Sequence, residues 1–277
     1  MKIVIIPNEK KDIGLKVTRR VIEVLRSHGA EMLVGASVCL DEDSVYRYEV
    51  FPPDADAILV IGGDGSILDA SGYAVQYGIP MLGINLGRVG YMSELAPDRI
   101  EELSRLFDGR YEVEEKMLLS LCIDGETVPR LAVNEVIFSH NSPVELTQLT
   151  LTDGNGASLK YRADGLIFST PIGSTAYSLS AGGPIVSQDH PSILVTPICP
   201  HSFFGRSIVF SDRETLTVSC GSSAPLIVSI DGRAWGTLKP GSECLIQKSQ
   251  SVLKMITFLK EKRMNALFSK LRSLDEL

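Results

Sequence analysis

The sequence predicts an α/β domain with a parallel sheet, followed by a mostly β domain. In the first third of the chain, short apolar runs alternate with amphipathic segments, which is typical of strands alternating with helices. Between residues 112 and 248, short β-rich runs are separated by Asp-Gly and Asn-Gly turn signals. The pattern changes near Phe107, so we predict one domain over residues 1–108 and another over residues 109–254.

In the first domain, Val17, Val21 and Leu25 share one face of the segment that follows the first apolar run, which predicts an amphipathic helix. Residues 41–56 are polar and include two prolines, so they are expected to form a connecting loop. A second helix is expected from Ser66 to about Tyr77. Strands alternating with helices predict a Rossmann-like parallel sheet that binds ligands at the carboxyl ends of its strands. The predicted strands are residues 2–6, 57–61 and 80–84.

The second domain is predicted to be β-sandwich-like. The tail, residues 255–277, returns to helical spacing with many charges and is expected to pack back on the first domain or on an outer face. The predicted strands of the second domain are residues 118–123, 131–138, 146–152, 166–169, 216–219 and 227–230.

The composition is that of an ordinary globular protein, with 44% hydrophobic and 22% charged residues among 277. No leader pattern and no apolar run of membrane-spanning length is present, so we predict a cytoplasmic protein without a membrane partner. The net charge of −7 argues against nucleic acid as a partner. A small anionic ligand would need local positive groups such as Arg88, Arg162 or Arg206. The five cysteines are scattered without close pairs, which favours buried reduced thiols over disulfides or a zinc site.

The run Gly62-Gly63-Asp64-Gly65-Ser66 lies between an apolar strand and a predicted helix. Glycines let backbone N–H groups approach a ligand, and a helix N-terminus attracts anions. The run matches neither the Walker loop nor the dinucleotide fingerprint, and by itself it could be a plain tight turn. Its carboxylate would repel phosphate, so two roles suit Asp64: accepting a proton from an attacking hydroxyl, or holding the metal of a nucleotide.

A second polar constellation lies in the β-rich part of the chain. Asp164-Gly165 precedes an apolar run, and residues 169–184 then combine glycine, hydroxyl and small residues densely. These hydroxyls could simply cap a helix, or they could cradle ribose and phosphate while the Tyr177 ring faces a base. Asn134-Glu135, at the start of another apolar run, could read a purine edge and a ribose diol.

Taken together and in this order, the Gly62 to Ser66 run, Asn134-Glu135, Asp164-Gly165 and residues 169–184 closely resemble the bacterial NAD kinases. The resemblance runs from the first strand to Asp231-Gly232 and includes residues 196–202. The chain departs from the family pattern at Ser66, where threonine or asparagine is also common. It departs again at Ser207, where proline would be familiar.

The resemblance implies transfer of the γ-phosphoryl group of ATP, or of polyphosphate in some members, to the 2′-hydroxyl of the adenosine ribose of NAD, giving NADP. By resemblance, Asp64 would accept the hydroxyl proton, Asn134 and Glu135 would hold the adenosine part, and Asp164 the nicotinamide end. A divalent cation, Mg²⁺, would bridge the nucleotide phosphates. The implied phosphate-binding residues are Gly62, Gly63, Gly65 and Ser66, and the implied NAD-binding residues are Asp64, Gly65, Asn134, Glu135, Arg162, Asp164, Thr175, Ala176, Tyr177 and Ser180.

Arg162 would place a fixed cation near the nicotinamide end, and by resemblance this implies a preference for NAD over NADH. The family also implies a homodimer or a homotetramer. Two alternatives remain open at this point. One is a lipid or sugar-phosphate kinase, since such kinases share the Gly-Gly-Asp-Gly turn. The other is a non-catalytic NADP(H)-binding sensor that keeps the pocket.

Overall fold

The computed structural model of the protein describes residues 1–40, 44–87, 90–141, 146–201 and 205–258. The chain forms two compact units, unit 1 (Met1–Glu115 with Leu253–Leu277) and unit 2 (Lys116–Val252). The division thus falls after Glu115, whereas the sequence analysis placed it after residue 108. The predicted helical tail after Phe258 lies outside the described residues. Arg88 and Ser202 also lie outside them.

Unit 1 contains a parallel sheet with the strand order β5-β4-β1-β2-β3. β4 is buried along its whole length, as its unbroken apolar run requires. Met255 pairs in parallel with Met81 at the β5 edge, so the chain adds a further strand segment there. The strands are β1 (Lys2–Pro7), β2 (Glu31–Gly35), β3 (Val45–Tyr48), β4 (Ala57–Gly62) and β5 (Met81–Asn85).

Two longer helices pack on this sheet. α1 (Lys16–Ser27) buries Val21, Ile22 and Leu25 on one face, as the predicted amphipathic spacing requires. α2 (Asp64–Tyr77) follows β4 directly and ends at Gly78, whose positive φ of 67° terminates the helix. Shorter helical segments are α3 (Ser104–Phe107) and the 3₁₀ turns Ile13–Leu15 and Pro97–Leu103.

The prediction of a loop over residues 41–56 was wrong, because this segment contains β3. β3 pairs in parallel with β2 through contacts such as Met32↔Val45. β3 is the outermost strand described in this sheet and buries only Val45, so its sequence carries little of the apolar signal of a strand. β2 was not predicted either, because its apolar run is only three residues long.

Unit 2 is predominantly β, as predicted. One sheet is antiparallel with the order β13-β12-β11-β8-β15-β16, and the other has the order β10-β9-β14-β17, with β6 pairing β17 and β7. Apolar side chains from both sheets, including Phe138, Phe168 and Leu216, form one core. The first strand begins, and the last strand ends, in unit 1. The strands are β6 (Glu112–Ile123), β7 (Arg130–Ala132), β8 (Glu135–Ser139), β9 (Thr147–Thr152), β10 (Ser158–Ala163), β11 (Gly165–Ser169), β12 (Ser192–Ile198), β13 (Ile208–Ser211), β14 (Thr215–Cys220), β15 (Leu226–Ile230), β16 (Arg233–Leu238) and β17 (Glu243–Thr257).

Three expectations for this part of the chain need correction. The single strand predicted over residues 131–138 is two strands, β7 and β8, because residues 133–134 leave the ladder. β10, β12, β13, β16 and β17 were not predicted. Of the five free cysteines, only Cys220 and Cys244 are buried, whereas Cys39 and Cys199 are exposed.

Among the described residues, no helix combines the length and the apolar character needed to cross a bilayer.

Candidate functional site

The glycine turn of unit 1 joins β4 to α2 with no intervening loop. Gly63 is extended, with φ −116° and ψ −173°, and is the N-cap of a helix that begins at Asp64 rather than at the predicted Ser66. A Cβ at Gly62 would lie 2.3 Å from Ser66 Oγ, so glycine is needed there for β4 and α2 to approach. Ser66 N and Ile67 N donate to Gly63 O at 2.8 and 3.2 Å, so the N–H groups that this helix start offers to an anion are those before Ser66.

The Asp64 carboxylate is oriented by the loop that follows β5. Tyr91 N donates to Asp64 Oδ2 at 2.9 Å, and Met92 N donates to Oδ1 at 3.0 Å. Each carboxylate oxygen therefore has one fixed donor and keeps acceptor capacity for another. Asp64 is half-buried, so its carboxylate remains reachable. This arrangement can both orient a hydroxyl and accept its proton.

Two further strand ends meet the glycine turn in unit 1. Asn8, which follows β1, donates from Nδ2 to Ser66 Oγ at 2.8 Å. Leu86 N, which follows β5, donates to Gly62 O at 2.6 Å. The sequence analysis did not select Asn8, although it follows a predicted strand at the ligand-binding edge of a parallel sheet.

In unit 2, Asn134 and Glu135 lie at the start of β8, in the middle of the six-stranded sheet. The Asp231 carboxylate accepts three backbone hydrogen bonds, from Val133 N at 2.9 Å, Asn134 N at 2.7 Å and Glu135 N at 3.1 Å. Asp231 N in turn donates to Glu135 O at 3.0 Å. The sequence analysis treated Asp231-Gly232 only as a turn signal and as the end of the resemblance. The structure shows that Asp231 fixes the backbone of the predicted Asn134-Glu135 site.

The segment after β11 fixes the same backbone from another side. Thr170 N donates to Asn134 O at 2.9 Å, and Thr170 Oγ1 donates to Val133 O at 2.6 Å. A Cβ at Gly173 would lie 2.0 Å from Asn134 O, so no side chain fits at that position. Two separate parts of the chain thus position Asn134 and Glu135.

The Glu135 side chain is only 4% exposed, and its Oε2 has no hydrogen-bond partner among the described residues. Burial and the nearby Asp231 charge raise the pKa of Glu135 to about 7, against the opposing backbone N–H of Tyr177. Burial also raises the pKa of Asp231, although the three backbone donors and Arg233 oppose the rise. Oε2 of Glu135 therefore has no hydrogen bond from a described residue and can accept one from a ligand.

The hydroxyl-rich segment divides into two sets. Ser174 Oγ donates to Pro171 O at 2.6 Å and accepts from Val186 N at 3.1 Å. Ser178 Oγ and Thr196 Oγ1 lie 3.0 Å apart, so these buried hydroxyls join the short helix Tyr177–Ser180 to β12. Thr170 Oγ1 accepts from Gly173 N at 3.1 Å, so one hydroxyl of the segment does cap the start of the short helix Gly173–Thr175. The N-cap residue of α4 (Tyr177–Ser180), Ala176, makes no side-chain cap hydrogen bond.

The second set of the segment is accessible to a ligand. Tyr177 is 44% exposed and Ser180 is exposed, whereas Thr175 and Ala176 are half-buried. All four are residues that the resemblance assigns to NAD. The Tyr177 backbone N–H lies against the Glu135 carboxylate, so this set adjoins the Asn134-Glu135 site.

Arg162 and Asp164 lie elsewhere in unit 2. β11 pairs with β8 so that Ser169 faces Glu135 and Gly165 faces Ser139. His140 N donates to Asp164 O at 3.3 Å, so Asp164 stands beyond the far end of β8 from Glu135, roughly 17 Å away at the usual rise per residue. The Asp164 carboxylate approaches His140, with 3.8 Å between Oδ1 and Nε2, and Arg162 is exposed. The predicted NAD residues of unit 2 thus fall into two groups separated by the length of one strand.

No group of three or more His, Cys, Asp or Glu side chains that could hold a metal exists among the residues described. Mg²⁺ needs no such group, because it commonly binds one or two carboxylates together with substrate phosphates. Asp64, an oxygen donor at an anion-attracting turn, fits a cation that enters with a nucleotide.

Comparison with known families accounts for both units. Residues 3–111 match the model of the ATP-NAD kinase N-terminal domain, and residues 133–258 match that of the ATP-NAD kinase C-terminal domain. The chain belongs to the NAD kinase family. The predicted family, the phosphotransferase class and the function, phosphorylation of NAD, are thereby confirmed.

Individual relatives agree with this assignment. The chain is 33% identical to an NAD kinase of Natranaerobius thermophilus over 91% of both chains. It is 35% identical to an NAD kinase of Acetivibrio thermocellus over 92% of both. A crystal structure of an Archaeoglobus fulgidus NAD kinase in complex with ATP has a TM-score of 0.76 and 28% identity, covering 99% of both chains.

A yeast NADH kinase structure in complex with NADH has a TM-score of 0.86 at 23% identity, covering 98% of this chain and 87% of that one. At this identity the likeness concerns the fold alone. The predicted fold class, a parallel α/β part and a mostly β part, is confirmed.

Proposed function

We propose that this NAD kinase transfers the γ-phosphoryl group of ATP to the 2′-hydroxyl of the adenosine ribose of NAD, with Asp64 as the proton acceptor. The observation that carries the assignment is the Asp64 carboxylate, held by Tyr91 N and Met92 N at the start of α2. A ribose hydroxyl is a weak nucleophile, so a fixed proton acceptor and correct orientation are what a protein can supply. The phosphates lie against Gly62, Gly63, Gly65 and Ser66, where the helix N-terminus offers N–H donors.

Asn134 and Glu135 hold the adenosine part of NAD. The unpartnered Oε2 of Glu135 supports this role, because an ionised carboxylate accepts hydrogen bonds from a ribose diol. Tyr177, Ser180, Thr175 and Ala176 line the adjoining accessible surface. Asp164 and Arg162, at the other end of β8, hold the nicotinamide end, and the Arg162 cation favours NAD over NADH.

A divalent cation, Mg²⁺, would neutralise charge on the nucleotide phosphates. Asp64 is the residue that would hold it, through its carboxylate. We place the enzyme in the cytoplasm as a homodimer or homotetramer, with NADP as its product and with polyphosphate as a further donor to be tested.

A coupled assay that scores the phosphorylated product tests these assignments together. Purified protein is incubated with NAD or NADH, each with ATP, with polyphosphate, or without a donor. We expect product from NAD with ATP and a clearly higher kcat/KM for NAD than for NADH. Equal kcat/KM for the two acceptors would refute the role of Arg162, and absence of product with NAD and ATP would refute the proposed reaction.

A further inference from the structure

Lys11 lies over the glycine turn of unit 1. It follows β1, which pairs in parallel with β4 so that Pro7 faces Ile61. A Cβ at Gly63 would lie 2.6 Å from Lys11 Nζ, and a Cβ at Gly87 would lie 3.8 Å from it. The ammonium group therefore lies beside Gly63 and Gly87, two residues without a side chain.

The backbone of Lys11 is held firmly although its side chain is exposed. Lys11 N donates to Asn8 O at 2.9 Å, and Asp12 N donates to the same oxygen at 2.8 Å. The buried Asp12 carboxylate accepts from Thr18 N at 2.8 Å and from Thr18 Oγ1 at 2.6 Å, so the loop is anchored to α1. The loop presents Lys11 at a fixed place beside the turn.

The charge of Lys11 is available to a ligand. Lys11 makes no ion pair with any residue that the structure describes. Asp64 adds a negative charge at the same turn, which opposes the approach of phosphate. A lysine ammonium is a compact charge that binds phosphate well and would offset this repulsion.

We infer that Lys11 is a phosphate-binding residue of this enzyme, whose ammonium group contacts the terminal phosphates of the phosphoryl donor at the glycine turn. The inference rests on the proposed function, since it names a further contact of the same site. An exposed lysine is usually a solvated surface residue. Lys11 differs because its ammonium lies 2.6 Å from the place that a Cβ of Gly63, the N-cap of α2, would occupy.

The test compares Lys11→Met with Lys10→Met, which removes the same charge from the neighbouring exposed position. For Lys11→Met we expect the KM for ATP to rise about 10- to 100-fold, as for the loss of a hydrogen bond to a charged group. The KM for NAD should change less, since most of the predicted NAD contacts, including those of Asn134 and Glu135, are in unit 2. Lys11→Arg, which keeps the charge, should recover part of the loss.

Calorimetric titration of ATP into the protein separates this inference from the proposed reaction. If wild-type protein formed no NADP, the proposed reaction would fail, and weaker ATP binding by Lys11→Met than by Lys10→Met would still support the contact. Equal ATP affinity and equal KM for ATP in the two variants would overturn it. Circular dichroism and thermal melting confirm that both variants fold.

Discussion

The two carboxylates proposed for the reaction, Asp64 in unit 1 and Glu135 in unit 2, are held in opposite ways. Asp64 is half-buried, and each of its oxygens accepts a backbone N–H, from Tyr91 and from Met92. Glu135 is 4% exposed, and one of its oxygens has no partner among the described residues. Two backbone donors thus orient the Asp64 carboxylate, whereas burial and Asp231 oppose the charge of Glu135.

The different surroundings of Asp64 and Glu135 suit two different roles in the reaction. A proton acceptor must point at its substrate, and fixed N–H donors achieve that orientation. A binding carboxyl gains most if its hydrogen bonds are completed only by the ligand, because a buried unsatisfied acceptor is costly until then. The three predictions below test this contrast, in order of decreasing expected effect.

The largest effect is expected for Asp64→Asn, which keeps the shape of the side chain but removes its basicity. Turnover should fall about 10²- to 10⁴-fold, the usual contribution of a general base, while the fold is retained. Asp98→Asn, at an exposed position of unit 1, is the matched control and should keep full activity. Steady-state kinetics of NADP formation measures the change. Near-wild-type turnover of the Asp64 variant would show that the side chain only orients groups.

The elements with the strongest local signals were predictable from the sequence. β4 and α2 follow from an unbroken apolar run, a glycine turn and a stretch without proline. β3 and β16 could not be predicted in this way, because they bury only one residue each. Their pairing depends on neighbours that are distant in the sequence.

The residues of the site also differ in whether a local sequence pattern predicts them. Asp64, Asn134 and Glu135 stand in recognisable motifs, so the sequence alone selects them. Asp231 is hydrogen-bonded to Asn134 across 97 positions of the chain, and Lys11 meets Gly63 only because β1 and β4 are neighbours in the sheet. Such supporting residues carry no local pattern, and three-dimensional structure is needed to find them.

The second-largest effect is expected for Asp231→Ala, which removes a hydrogen-bond acceptor of the backbone around Glu135. Asp231→Ala would leave the N–H groups of Val133, Asn134 and Glu135 without their acceptor, at a cost of about 3 kcal/mol in the free energy of unfolding. The control is Asp153→Ala, which removes a turn aspartate that accepts exposed N–H groups of Asn155 and Ala157. It should cost only about 1 kcal/mol.

Urea unfolding measures both Asp231→Ala and Asp153→Ala, and the KM for NAD should rise only in the Asp231 variant. If the two variants lost equal stability and bound NAD equally well, Asp231 would have no special part in fixing the site.

The smallest effect is a pH dependence that belongs to Glu135. Its pKa of about 7 lies above its ordinary value of 4.5, so its protonated form is favoured in the folded enzyme. This contribution to stability is complete below pH 4.5 and is lost as the pH rises through about 7. NAD binding has the opposite sign, because only the ionised carboxylate accepts both ribose hydroxyl hydrogen bonds. NAD affinity should therefore increase about tenfold between pH 6 and pH 8.

Calorimetric titration of NAD across this range tests the assignment with three variants. Glu135→Gln cannot ionise and should remove the pH dependence, whereas the exposed Glu126→Gln should keep it. Asp231→Asn removes the neighbouring negative charge and should move the midpoint to lower pH, since that charge helps to raise the pKa of Glu135. A pH dependence that persisted unchanged in Glu135→Gln would assign it to another group. In that case, burial of Glu135 would serve the packing around Asn134 rather than the binding of ribose.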